Sequence, residues 1–413
     1  MPPKRWSRPL RRTASFYSMD RLETQVGIVG AGPAGLMLSH LLHLHGIRSI
    51  VLEARSRAHC EERVRAGVLE HTSVDMLRQA GLAERLDREG LRHEGIELGL
   101  DGERHRIPFV ALTGQCVTVY GQQEVVKDLI ARRLADGGDL RFECGEVSLH
   151  GIDGSQPFLR FEHAGATHEI HCDFIAGCDG SHGISRAAIP SAAVTLYERA
   201  YPFAWLGILA EAPPSRDELL YMHHERGFAL YSMRSPRITR LYLQCRPDED
   251  IREWSDDRIW TELHTRLGCN DGWRPTEGRI LQKSVTGMRS FVVEPLQYGR
   301  LFLAGDAAHI VPPTGAKGMN LALADVHHLS AALDAFYRKN DQSKLDSYSR
   351  TCLQRIWKAQ RFSWWMTSLL HCFPEDSPFD RKRQLAELAY VTGSRAAATS
   401  LAENYVGLPL DGA

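Results

Sequence analysis

The fold of this chain is decided by the stretch TQVGIVGAGPAGL, which runs from Thr24 to Leu36. Its apolar part, Gln25–Val29, is typical of a short buried strand and leads into a glycine-rich turn at Gly30–Gly35. Apolar residues recur at helical spacing over Leu36–Leu44, and Ile47–Glu53 predicts a second strand. A strand, a helix and a second strand in this order form a βαβ unit, so we expect a parallel sheet.

The glycine-rich turn predicts a binding site for a dinucleotide. Gly30, Gly32 and Gly35 permit a tight turn and let backbone N–H groups approach a pyrophosphate, and the following helix directs its positive end at the same charge. Glu53 stands 18 residues after Gly35, at the end of the second strand, where an acid is expected to bind a ribose diol. The chain contains one such unit, so a second nucleotide would bind in a groove of the same domain.

Two acidic motifs lie outside the βαβ unit, each after an apolar run. They are Cys178-Asp179-Gly180 and Gly305-Asp306, the second of which ends the strand predicted at Leu301–Gly305. The loop that follows, Ile310–Asn320, carries two prolines and two glycines and leads into a helix, whose N-terminus favours an anion such as a reduced flavin. Together the three motifs resemble the group A flavoprotein monooxygenases, in which the dinucleotide is FAD.

The middle region alternates between apolar and polar residues. Gly227–Arg234 and Ile238–Gln244 predict two antiparallel strands joined by a turn. Ser232 and Arg234 share one face of the first strand, and Tyr242 lies on one face of the second. Arginine binds carboxylates through two parallel hydrogen bonds. If the two faces meet, the pocket between them would therefore suit an aromatic acid. The alternative is that these polar residues form the solvated face of a sheet.

Composition limits the class of protein. The chain has 413 residues, of which 43% are hydrophobic and 24% charged, and its net charge is −1. This length predicts two or three packed units, and the charge balance argues against a protein that coats nucleic acid or an anionic membrane. No uncharged apolar run of about 18 residues is present, so no transmembrane helix is expected. Nine scattered cysteines without a Cys-x-x-Cys pair predict free thiols in a reducing cytoplasm and no metal site.

The N-terminal residues differ from the rest in composition. Met1–Met19 contains five basic residues and no acid. We expect residues 1–23 to form a disordered basic extension, or to include sequence upstream of a true start at Met19, and the ordered chain to open at Thr24. A transit-type segment or a nucleic-acid-binding arm is the alternative.

Longer segments sharpen the resemblance, and they extend over nearly the whole chain, from Thr24 to Pro409. They are Arg63–Glu70, His93–Gly95, Tyr201–Gly207, Arg226–Leu230, Arg289–Pro295, Gly305–Asn320, Phe362–Thr367 and Ala402–Pro409. These segments are similar to those of the p-hydroxybenzoate hydroxylase (4-hydroxybenzoate 3-monooxygenase) family. Some positions depart from the family pattern, among them Tyr231, Met233, Leu241 and Ser181. Tyr231 and Met233 are out of phase with Ser232 and are expected to face away from the substrate.

The resemblance implies an α/β fold with three parts. The first is a Rossmann-like FAD-binding domain of the GR2 type, formed by residues 24–93, 117–200 and 288–320. A mostly antiparallel β-sheet substrate domain, residues 94–116 and 201–287, is inserted into it. Residues 321–413 form a helical C-terminal interface region, for which apolar spacing predicts helices at Leu321–Tyr337, Lys344–Leu370 and Asp380–Asn404.

The resemblance also implies an activity. It is the hydroxylation of 4-hydroxybenzoate at C3 to 3,4-dihydroxybenzoate through a flavin C4a-hydroperoxide. The cofactor is non-covalent FAD, and the co-substrates are O2 and NADPH or NADH. Members of the family are expected to be cytoplasmic homodimers that bind neither nucleic acid nor membranes.

Site residues follow from the same resemblance, position by position. The residues implied in catalysis are Tyr221, Tyr405, His93 and Pro313, where the two tyrosines and the histidine would conduct the phenol proton to solvent and the Pro313 carbonyl would face the phenol. Those implied in substrate binding are Ser232, Arg234, Tyr242, Tyr221 and Pro313. Those implied in cofactor binding are Gly30, Gly32, Ala34, Gly35, Glu53, Arg65, Val68, Gln122, Asp179, Arg240, Asp306, Lys317, Gly318 and Asn320 for FAD, with His182 and Arg289 for the nicotinamide nucleotide.

Three questions stay open at the level of sequence. Arg55 and Arg57 follow the ribose-binding strand and would pair with a 2′-phosphate, which favours NADPH over NADH. The substrate could instead be another phenolic acid, such as 3-hydroxybenzoate or 3,4-dihydroxybenzoate, and a flavin redox sensor without turnover is the alternative from another class. A flavin halogenase is disfavoured because its Trp-x-Trp-x-Ile-Pro motif is absent.

Overall fold

The computed structural model describes residues 20–65, 67–100 and 102–410. In chain order, its strands are β1 (Asp20–Glu23), β2 (Val26–Val29), β3 (Ser49–Leu52), β4 (Val68–Leu69), β5 (Leu91–His93), β6 (Gly95–Leu100), β7 (Glu103–Pro108), β8 (Val117–Val119), β9 (Asp139–Arg141), β10 (Gly145–His150), β11 (Phe158–His163), β12 (Ala166–His171), β13 (Phe174–Gly177), β14 (Thr195–Glu211), β15 (Leu220–His223), β16 (Ala229–Ser235), β17 (Ile238–Cys245), β18 (Arg279–Glu294), β19 (Gln297–Tyr298), β20 (Leu301–Leu303) and β21 (His309–Ile310). Its helices are α1 (Pro33–Leu44), α2 (Arg57–Glu62), α3 (His71–Gln79), α4 (Glu84–Glu89), α5 (Phe109–Thr113), α6 (Gln122–Ala135), α7 (Asp256–Leu267), α8 (Gly318–Lys339), α9 (Ser343–Leu370), α10 (Pro378–Gly393) and α11 (Arg395–Val406).

The βαβ unit predicted from the first motif is confirmed as β2, α1 and β3. These strands lie at the centre of a sheet with the order β19-β20-β13-β2-β3-β9, in which every pair except β19–β20 is parallel. Strands β2 and β13 are entirely buried, as expected for a parallel sheet covered by helices. Helix α1 packs against both α6 and α8.

The glycines of the turn meet two steric demands. Gly30 has φ +106°, and a Cβ there would lie 2.3 Å from the Cys178 carbonyl oxygen. A Cβ on Gly35 would lie 1.9 Å from the Gly30 carbonyl oxygen, because the first turn of α1 crosses closely over the strand. The carboxyl ends of β2 and β13 therefore meet the start of α1 at one point, where a phosphate group would sit.

The second large sheet has eight strands in the order β21-β18-β14-β17-β16-β15-β6-β7. Its pairs are antiparallel except β15–β6, in agreement with the expected mostly antiparallel insertion. Two long strands, β14 and β18, pair over nearly their whole length and connect this sheet to the region of β13 and β20. The expected boundary near residues 200 and 288 therefore falls inside continuous strands, and the division into domains stays a prediction.

The expectation for the N-terminus needs a correction. Residues 1–19 lie outside the described part of the chain, but residues 20–23 were expected in the disordered extension and instead form β1. This strand pairs in parallel with β12, from Asp20 opposite His168 to Glu23 opposite His171. The exposed edge of β12 offers unpaired backbone groups, and β1 satisfies them.

The C-terminal region is helical as predicted, with one correction. The helix expected over Asp380–Asn404 is two helices, α10 and α11, separated at Ser394. Ser394 has extended backbone angles, and its hydroxyl accepts a hydrogen bond from the Ala397 amide, which caps α11. The spacing of apolar residues does not reveal a capping residue inside a helical pattern. No helix in the described ranges is long and apolar enough to cross a membrane.

Apolar side chains form three cores in the described residues. One surrounds the parallel sheet, and another lies between one face of the eight-stranded sheet and α7. The third includes Tyr221 from β15, Phe362 from α9 and Tyr405 from α11. This third core therefore joins the antiparallel sheet to the C-terminal helices, and the predicted catalytic tyrosines lie inside it.

Candidate active site

The cradle at the start of α1 fits a pyrophosphate. No side chain caps this helix, and no acid lies in its first turn. A Cβ at Gly32 would meet nothing within 4 Å among the described residues, so the space in front of the helix is open. Glu53 accepts hydrogen bonds from the Ala31 amide at 2.8 Å and the Arg55 amide at 2.9 Å, which holds its carboxylate beside the turn. Ala34 is buried in the first turn of α1.

The two acidic motifs lie in different environments. Asp179 is held by Ser185, whose amide and hydroxyl donate to Oδ2 at 2.8 and 2.9 Å, and burial raises the pKa of Asp179. Asp306 is exposed although residues 301–305 and 307–309 around it are buried. Its carboxylate points out of a buried strand end toward open space, which fits a hydroxyl-bearing chain such as the ribityl group of FAD.

A buried pair of residues fixes the backbone at Asp306. The Asp325 carboxylate Oδ2 accepts hydrogen bonds from the Gly305 amide at 2.9 Å and from His309 Nε2 at 2.6 Å. Burial lowers the pKa of His309, but the charge of Asp325 outweighs it, so the net shift is upward. Gly305 has φ +65°, a conformation that this carboxylate holds in place.

The proline-rich loop between β21 and α8 is tied to α9. Gln360 Nε2 donates to the Ile310 carbonyl at 2.7 Å, and the Thr367 hydroxyl donates to Thr314 Oγ1 at 2.9 Å. Pro313 begins a 3-10 turn that ends at Gly315, and Ala316 follows with φ +54°. A left-handed alanine is strained, so the loop is held in one defined conformation by its contacts.

The N-terminus of α8 carries a buried ion cluster. Lys317 Nζ lies 2.6 Å from Glu70 Oε1, and Arg355 Nη2 lies 2.8 Å from Glu70 Oε2. Burial lowers the pKa of Lys317, and Glu70 opposes that shift. Asn320 accepts from the Glu70 amide and donates to the carbonyls of Val68 and Ala316. Two cations share one carboxylate, and the excess positive charge favours an anion at the open end of α8, where a Cβ on Gly318 would meet nothing within 4 Å in the described part of the chain.

The predicted substrate strands bring their polar faces together. In the register of β16 and β17, Ser232 lies opposite Arg240 and Leu230 opposite Tyr242. Arg234 Nη1 donates to Ser232 Oγ at 3.2 Å. The Arg234 Nε and Arg240 Nη1 atoms are buried, and neither has a hydrogen-bond partner among the described residues. Unpaired buried donors are costly, and an acceptor such as a carboxylate would satisfy these two.

Tyr242 lies between the two guanidinium groups. Burial raises the pKa of its phenol, but Arg234 and Arg240 outweigh that effect and lower the pKa below its ordinary value. Gly207 lies opposite Tyr242 on β14, and a Cβ there would lie 2.7 Å from Arg240 Nη2. Tyr231 and Met233 face the other core of the sheet, as predicted, and Tyr231 Oη accepts a hydrogen bond from the Ser215 amide at 2.7 Å.

Tyr221 and Tyr405 form a buried hydrogen-bonded pair. Their hydroxyl oxygens lie 2.6 Å apart, and each residue is 1% exposed. Burial, with the neighbouring Tyr405, raises the pKa of Tyr221, and burial raises that of Tyr405. Tyr221 is close enough to Tyr242 and Arg234 for their charges to act on it, so the tyrosine pair and the buried arginines lie near each other.

His93 is buried at the end of β5. Burial lowers its pKa to about 4, and both ring nitrogens lack a partner among the described residues. The acids that act on it are Glu218 and Asp217, near the surface side of β15. In the described part of the chain no hydrogen bond joins His93 to Tyr221 or Tyr405, so its place in a proton path stays a prediction.

The remaining predicted cofactor residues lie on several different elements. Arg65 is exposed and close enough to Asp306 and Arg240 for their charges to act on it. Gln122 is the first residue of α6. His182 is exposed beside Ser181, and Arg289 on β18 lies 3.4 Å from Glu198.

Sequence reasoning missed several residues that organise this site. Arg186 donates to the carbonyls of Ser181 at 2.8 Å and Ala307 at 3.0 Å, and so ties the Asp-Gly motif to the Gly-Asp turn. Arg355 and Asp325 act on backbone groups far away in sequence. Arg186 lies in a 3-10 turn, Asp325 on α8 and Arg355 on α9. None of these residues stands in a local motif, and only their tertiary contacts with distant loops reveal them.

Comparison with known proteins gives a consistent result. A family model described as "FAD binding domain" matches residues 23–363. The chain is 50% identical over 394 residues to p-hydroxybenzoate hydroxylase of Acinetobacter baylyi, which covers 95% of this chain and 97% of that protein. It is 24% identical to a 3-(3-hydroxy-phenyl)propionate/3-hydroxycinnamic acid hydroxylase of Paraburkholderia xenovorans, over 81% of this chain and 54% of that protein.

Solved structures share the fold. The p-nitrophenol 4-monooxygenase of Pseudomonas putida DLL-E4 superposes with a TM-score of 0.78 at 18% identity, over 94% of this chain and 99% of that one. An aklavinone-11 hydroxylase, solved with FAD and aklavinone, superposes with a TM-score of 0.72 at 22% identity, over 86% of this chain and 70% of that one. At these identities the likeness concerns the fold alone.

Proposed function

Because this chain belongs to the FAD-binding monooxygenase family that contains p-hydroxybenzoate hydroxylase, we propose that it hydroxylates 4-hydroxybenzoate at C3. One NAD(P)H, one proton and one O2 are consumed, and 3,4-dihydroxybenzoate, NAD(P)+ and water are formed. The observation that carries this proposal is the proximity of the buried Arg234 Nε, which has no partner in the described residues, to the Tyr221–Tyr405 pair. A molecule with a carboxylate at one end and a phenol at the other matches both features.

FAD would bind along the open side of the parallel sheet. The pyrophosphate would lie at Gly30–Gly35, the ribose at Glu53 and the ribityl chain at Asp306, with Arg65, Val68, Gln122 and Asp179 around it and the ring near Pro313, Lys317, Gly318 and Asn320. Bound and reduced, FAD would supply the electrons that activate O2, and the oxygen atom added to the substrate would come from O2. The excess positive charge of the Lys317–Glu70–Arg355 cluster would stabilise the negative charge of the reduced ring.

The chain's own residues would bind and orient the substrate. Arg234 would grip the carboxylate in the fork geometry that only arginine offers, with Ser232 and Tyr242 completing the contact. Arg240 would hold Tyr242 and face the flavin. The closed apolar core around Tyr221 would exclude water, because a wet site lets the activated oxygen be lost as hydrogen peroxide.

The tyrosine pair would move the phenol proton. Tyr221 would accept a hydrogen bond from the substrate phenol and pass its own proton to Tyr405, so the substrate becomes a phenolate without water entering the site. A phenolate is far more electron-rich at C3 than a phenol and attacks an electrophilic oxygen more readily. His93 would complete the path to solvent, and the Pro313 carbonyl would face the phenol.

NADPH would bind on the outer side, near His182 and Arg289. Arg57 is paired with Glu61 at 2.6 Å, whereas the Arg55 side chain has no ion-pair partner in the described residues. Arg55 is therefore the better candidate for a 2′-phosphate. We further propose that the protein is a cytoplasmic homodimer that binds neither nucleic acid nor a membrane, with the FAD-binding, substrate and C-terminal parts divided as the sequence predicts.

The test is an oxidation assay on purified, FAD-loaded protein in air. The absorbance of NADPH at 340 nm is followed with and without 4-hydroxybenzoate, and the products are separated and compared with 3,4-dihydroxybenzoate. Oxidation that needs the acid and forms one product per NADPH supports the proposal. Oxidation that yields only peroxide would contradict the substrate, and parallel assays with 3-hydroxybenzoate and 3,4-dihydroxybenzoate identify the alternative. A protein that oxidises no nicotinamide nucleotide with any of these acids would be a sensor instead.

A further inference from the structure

The chain that follows Tyr405 is held by an unusual concentration of contacts. Tyr405 is the second-last residue of α11, and its carbonyl accepts a hydrogen bond from Lys317 Nζ at 3.1 Å. The next carbonyl, of Val406, is 2.8 Å from His71 Nδ1. Gly407 has φ +108°, and a Cβ there would lie 2.5 Å from Glu70 Oε2, so the backbone packs directly on the Glu70 carboxylate.

Arg355 completes this arrangement from α9. Its Nη1 donates to the carbonyls of Leu408 at 2.7 Å and Pro409 at 3.0 Å, and its Nη2 donates to Glu70 Oε2 at 2.8 Å. We call Glu70, His71, Lys317 and Arg355 the C-terminal clamp. Every backbone carbonyl from residue 405 to 409 except that of Gly407 is bound by a member of the clamp.

The clamp acts on a residue whose position matters. The Tyr405 ring is packed on two sides, because Phe109 stacks on it at 5.0 Å and Phe362 meets it edge-on at 6.4 Å. Helix ends fray unless their last carbonyls are satisfied, and α11 ends one residue after Tyr405. The contacts of the clamp therefore decide whether the Tyr405 hydroxyl stays at 2.6 Å from Tyr221.

We propose that Arg355 is a positioning residue for hydroxylation: by binding the chain beyond Tyr405 and Glu70 together, its guanidinium sets the geometry of the Tyr405–Tyr221 hydrogen bond. The inference rests on the proposed function, in which this pair removes the phenol proton. Arginine is required because one planar fork serves two carbonyls and a carboxylate at once, whereas a lysine ammonium at this distance cannot reach all three. Arg355 itself touches neither tyrosine.

The first variant is Arg355→Lys, with Arg361→Lys as the matched control. Arg361 lies on the same helix, is exposed, and donates from Nη2 to the half-buried Asn404 Oδ1 of α11 at 3.3 Å. We expect Arg355→Lys to keep its FAD and to oxidise NADPH in response to 4-hydroxybenzoate, while the product formed per NADPH falls about twofold to tenfold because the proton path is misaligned. Arg361→Lys should match the wild type.

A second readout separates positioning from loss of stability. The phenol of 4-hydroxybenzoate bound to the oxidised enzyme is titrated by its absorbance as the pH is raised. In Arg355→Lys the ionisation midpoint should move upward by about half to one pH unit, and in Arg361→Lys it should not move. A merely structural role for Arg355 would lower the melting temperature and leave this midpoint where it is in the wild type.

Chemical rescue provides a third measurement. Arg355 borders a cavity of about 310 Å³ that is also lined by Thr351, Leu408 and Leu410. In Arg355→Ala, guanidinium chloride at low millimolar concentration should restore part of the product formed per NADPH, and sodium chloride at equal concentration should not. If Arg355→Lys does not retain FAD, the product ratio and the phenol midpoint are measured in Arg355→Ala and Arg355→Gln instead.

The outcomes are distinct. A wild-type protein that forms no 3,4-dihydroxybenzoate would overturn the proposed function, and the positioning role with it. A wild type that hydroxylates, beside Arg355 variants with unchanged product ratio and unchanged phenol midpoint, would overturn the role of Arg355 alone. A lower ratio together with a raised midpoint in Arg355→Lys, absent from Arg361→Lys, supports it.

Discussion

The hydroxyl oxygens of Tyr221 and Tyr405 lie 2.6 Å apart inside a core of buried aliphatic and aromatic side chains. The two residues are separated by 184 positions in the chain and come from different parts of the fold, a strand of the antiparallel sheet and the last helix. Burial raises the pKa of both phenols, so neither ionises by itself near neutral pH. A pair of this kind conducts a proton that another group releases, which is the role proposed for it.

Replacing Tyr405 by Phe tests this role. Tyr405→Phe keeps the ring that packs on Phe109 but removes the oxygen that receives the proton from Tyr221. We expect NADPH oxidation to continue while the 3,4-dihydroxybenzoate formed per NADPH falls at least about tenfold, the balance appearing as hydrogen peroxide. Tyr221→Phe should behave in the same way. Product analysis beside a peroxide assay measures both quantities.

Tyr231→Phe is the matched control. Tyr231 lies on the neighbouring strand, is equally buried and faces the other core, where its hydroxyl oxygen accepts from the Ser215 amide. Its loss should cost about 1 kcal/mol of stability and leave the product ratio unchanged. If Tyr405→Phe hydroxylates as well as Tyr231→Phe, the proton path does not run through this pair.

Arg234 is expected to decide substrate affinity. Its buried Nε has no partner in the described residues, so a bound carboxylate would gain a charge-assisted hydrogen bond there. In Arg234→Gln, the dissociation constant of 4-hydroxybenzoate, measured by its effect on flavin absorbance, should rise about 10- to 100-fold. Arg237→Gln, in the exposed turn of the same hairpin, should change it less than about twofold. Equal affinities in the two variants would place the carboxylate elsewhere.

Asp325 is expected to affect FAD binding without touching FAD. Its carboxylate holds the Gly305 amide and His309, and so fixes the turn that presents Asp306. In Asp325→Asn the charge that supports both hydrogen bonds is lost, and the dissociation constant for FAD should rise about tenfold. Recovery of flavin fluorescence on dilution measures it. The control is Asp334→Asn on the same helix, whose partners His45 and Arg338 lie at the surface; a similar loss of FAD there would contradict the assignment.

Local patterns predicted the parts of this site that neighbouring residues build. Short continuous segments of fewer than forty residues encode the βαβ unit, each of the two acidic motifs, and the hairpin with Ser232 and Arg234. Over such lengths residue spacing and turn chemistry are informative. The strand phase also placed Tyr231 and Met233 correctly on the opposite face. The resemblance then assigned roles that no local pattern contains.

The rest depends on distant contacts. Arg355 and Glu70 are 285 positions apart, and nothing near either residue predicts that they meet. Strand β1 was missed because its edge partner, β12, follows it by almost 150 residues. The long strands β14 and β18 cross the expected domain boundary, because each is a continuous strand of one sheet on both sides of it. In each case tertiary pairing, and not local propensity, decides the structure.

Two buried histidines make the stability of this fold sensitive to acid. Burial lowers the pKa of His371 to about 3 and that of His93 to about 4. His371 accepts a hydrogen bond from Trp205 Nε1 at 2.7 Å and lies 3.0 Å through Nδ1 from the Thr367 carbonyl, an arrangement that requires the neutral ring. In the unfolded chain both histidines take up a proton near pH 6.5.

The sign of the effect follows from these values. The stability due to the neutral rings is fully present above about pH 6.5 and decreases as the pH falls below it. The decrease stops once the pH is below the folded-state pKa of each histidine. Within that window each histidine lowers the free energy of unfolding by about 1.4 kcal/mol per pH unit. The urea midpoint of the holoenzyme should therefore drop between pH 7 and pH 5. In His371→Phe the midpoint at pH 7 should be lower, because Trp205 loses its acceptor, but its drop toward pH 5 should be smaller. His59→Asn, at an exposed position, should leave the drop unchanged. An equal drop in the wild type and in His371→Phe would show that His371 is not the acid-sensitive group.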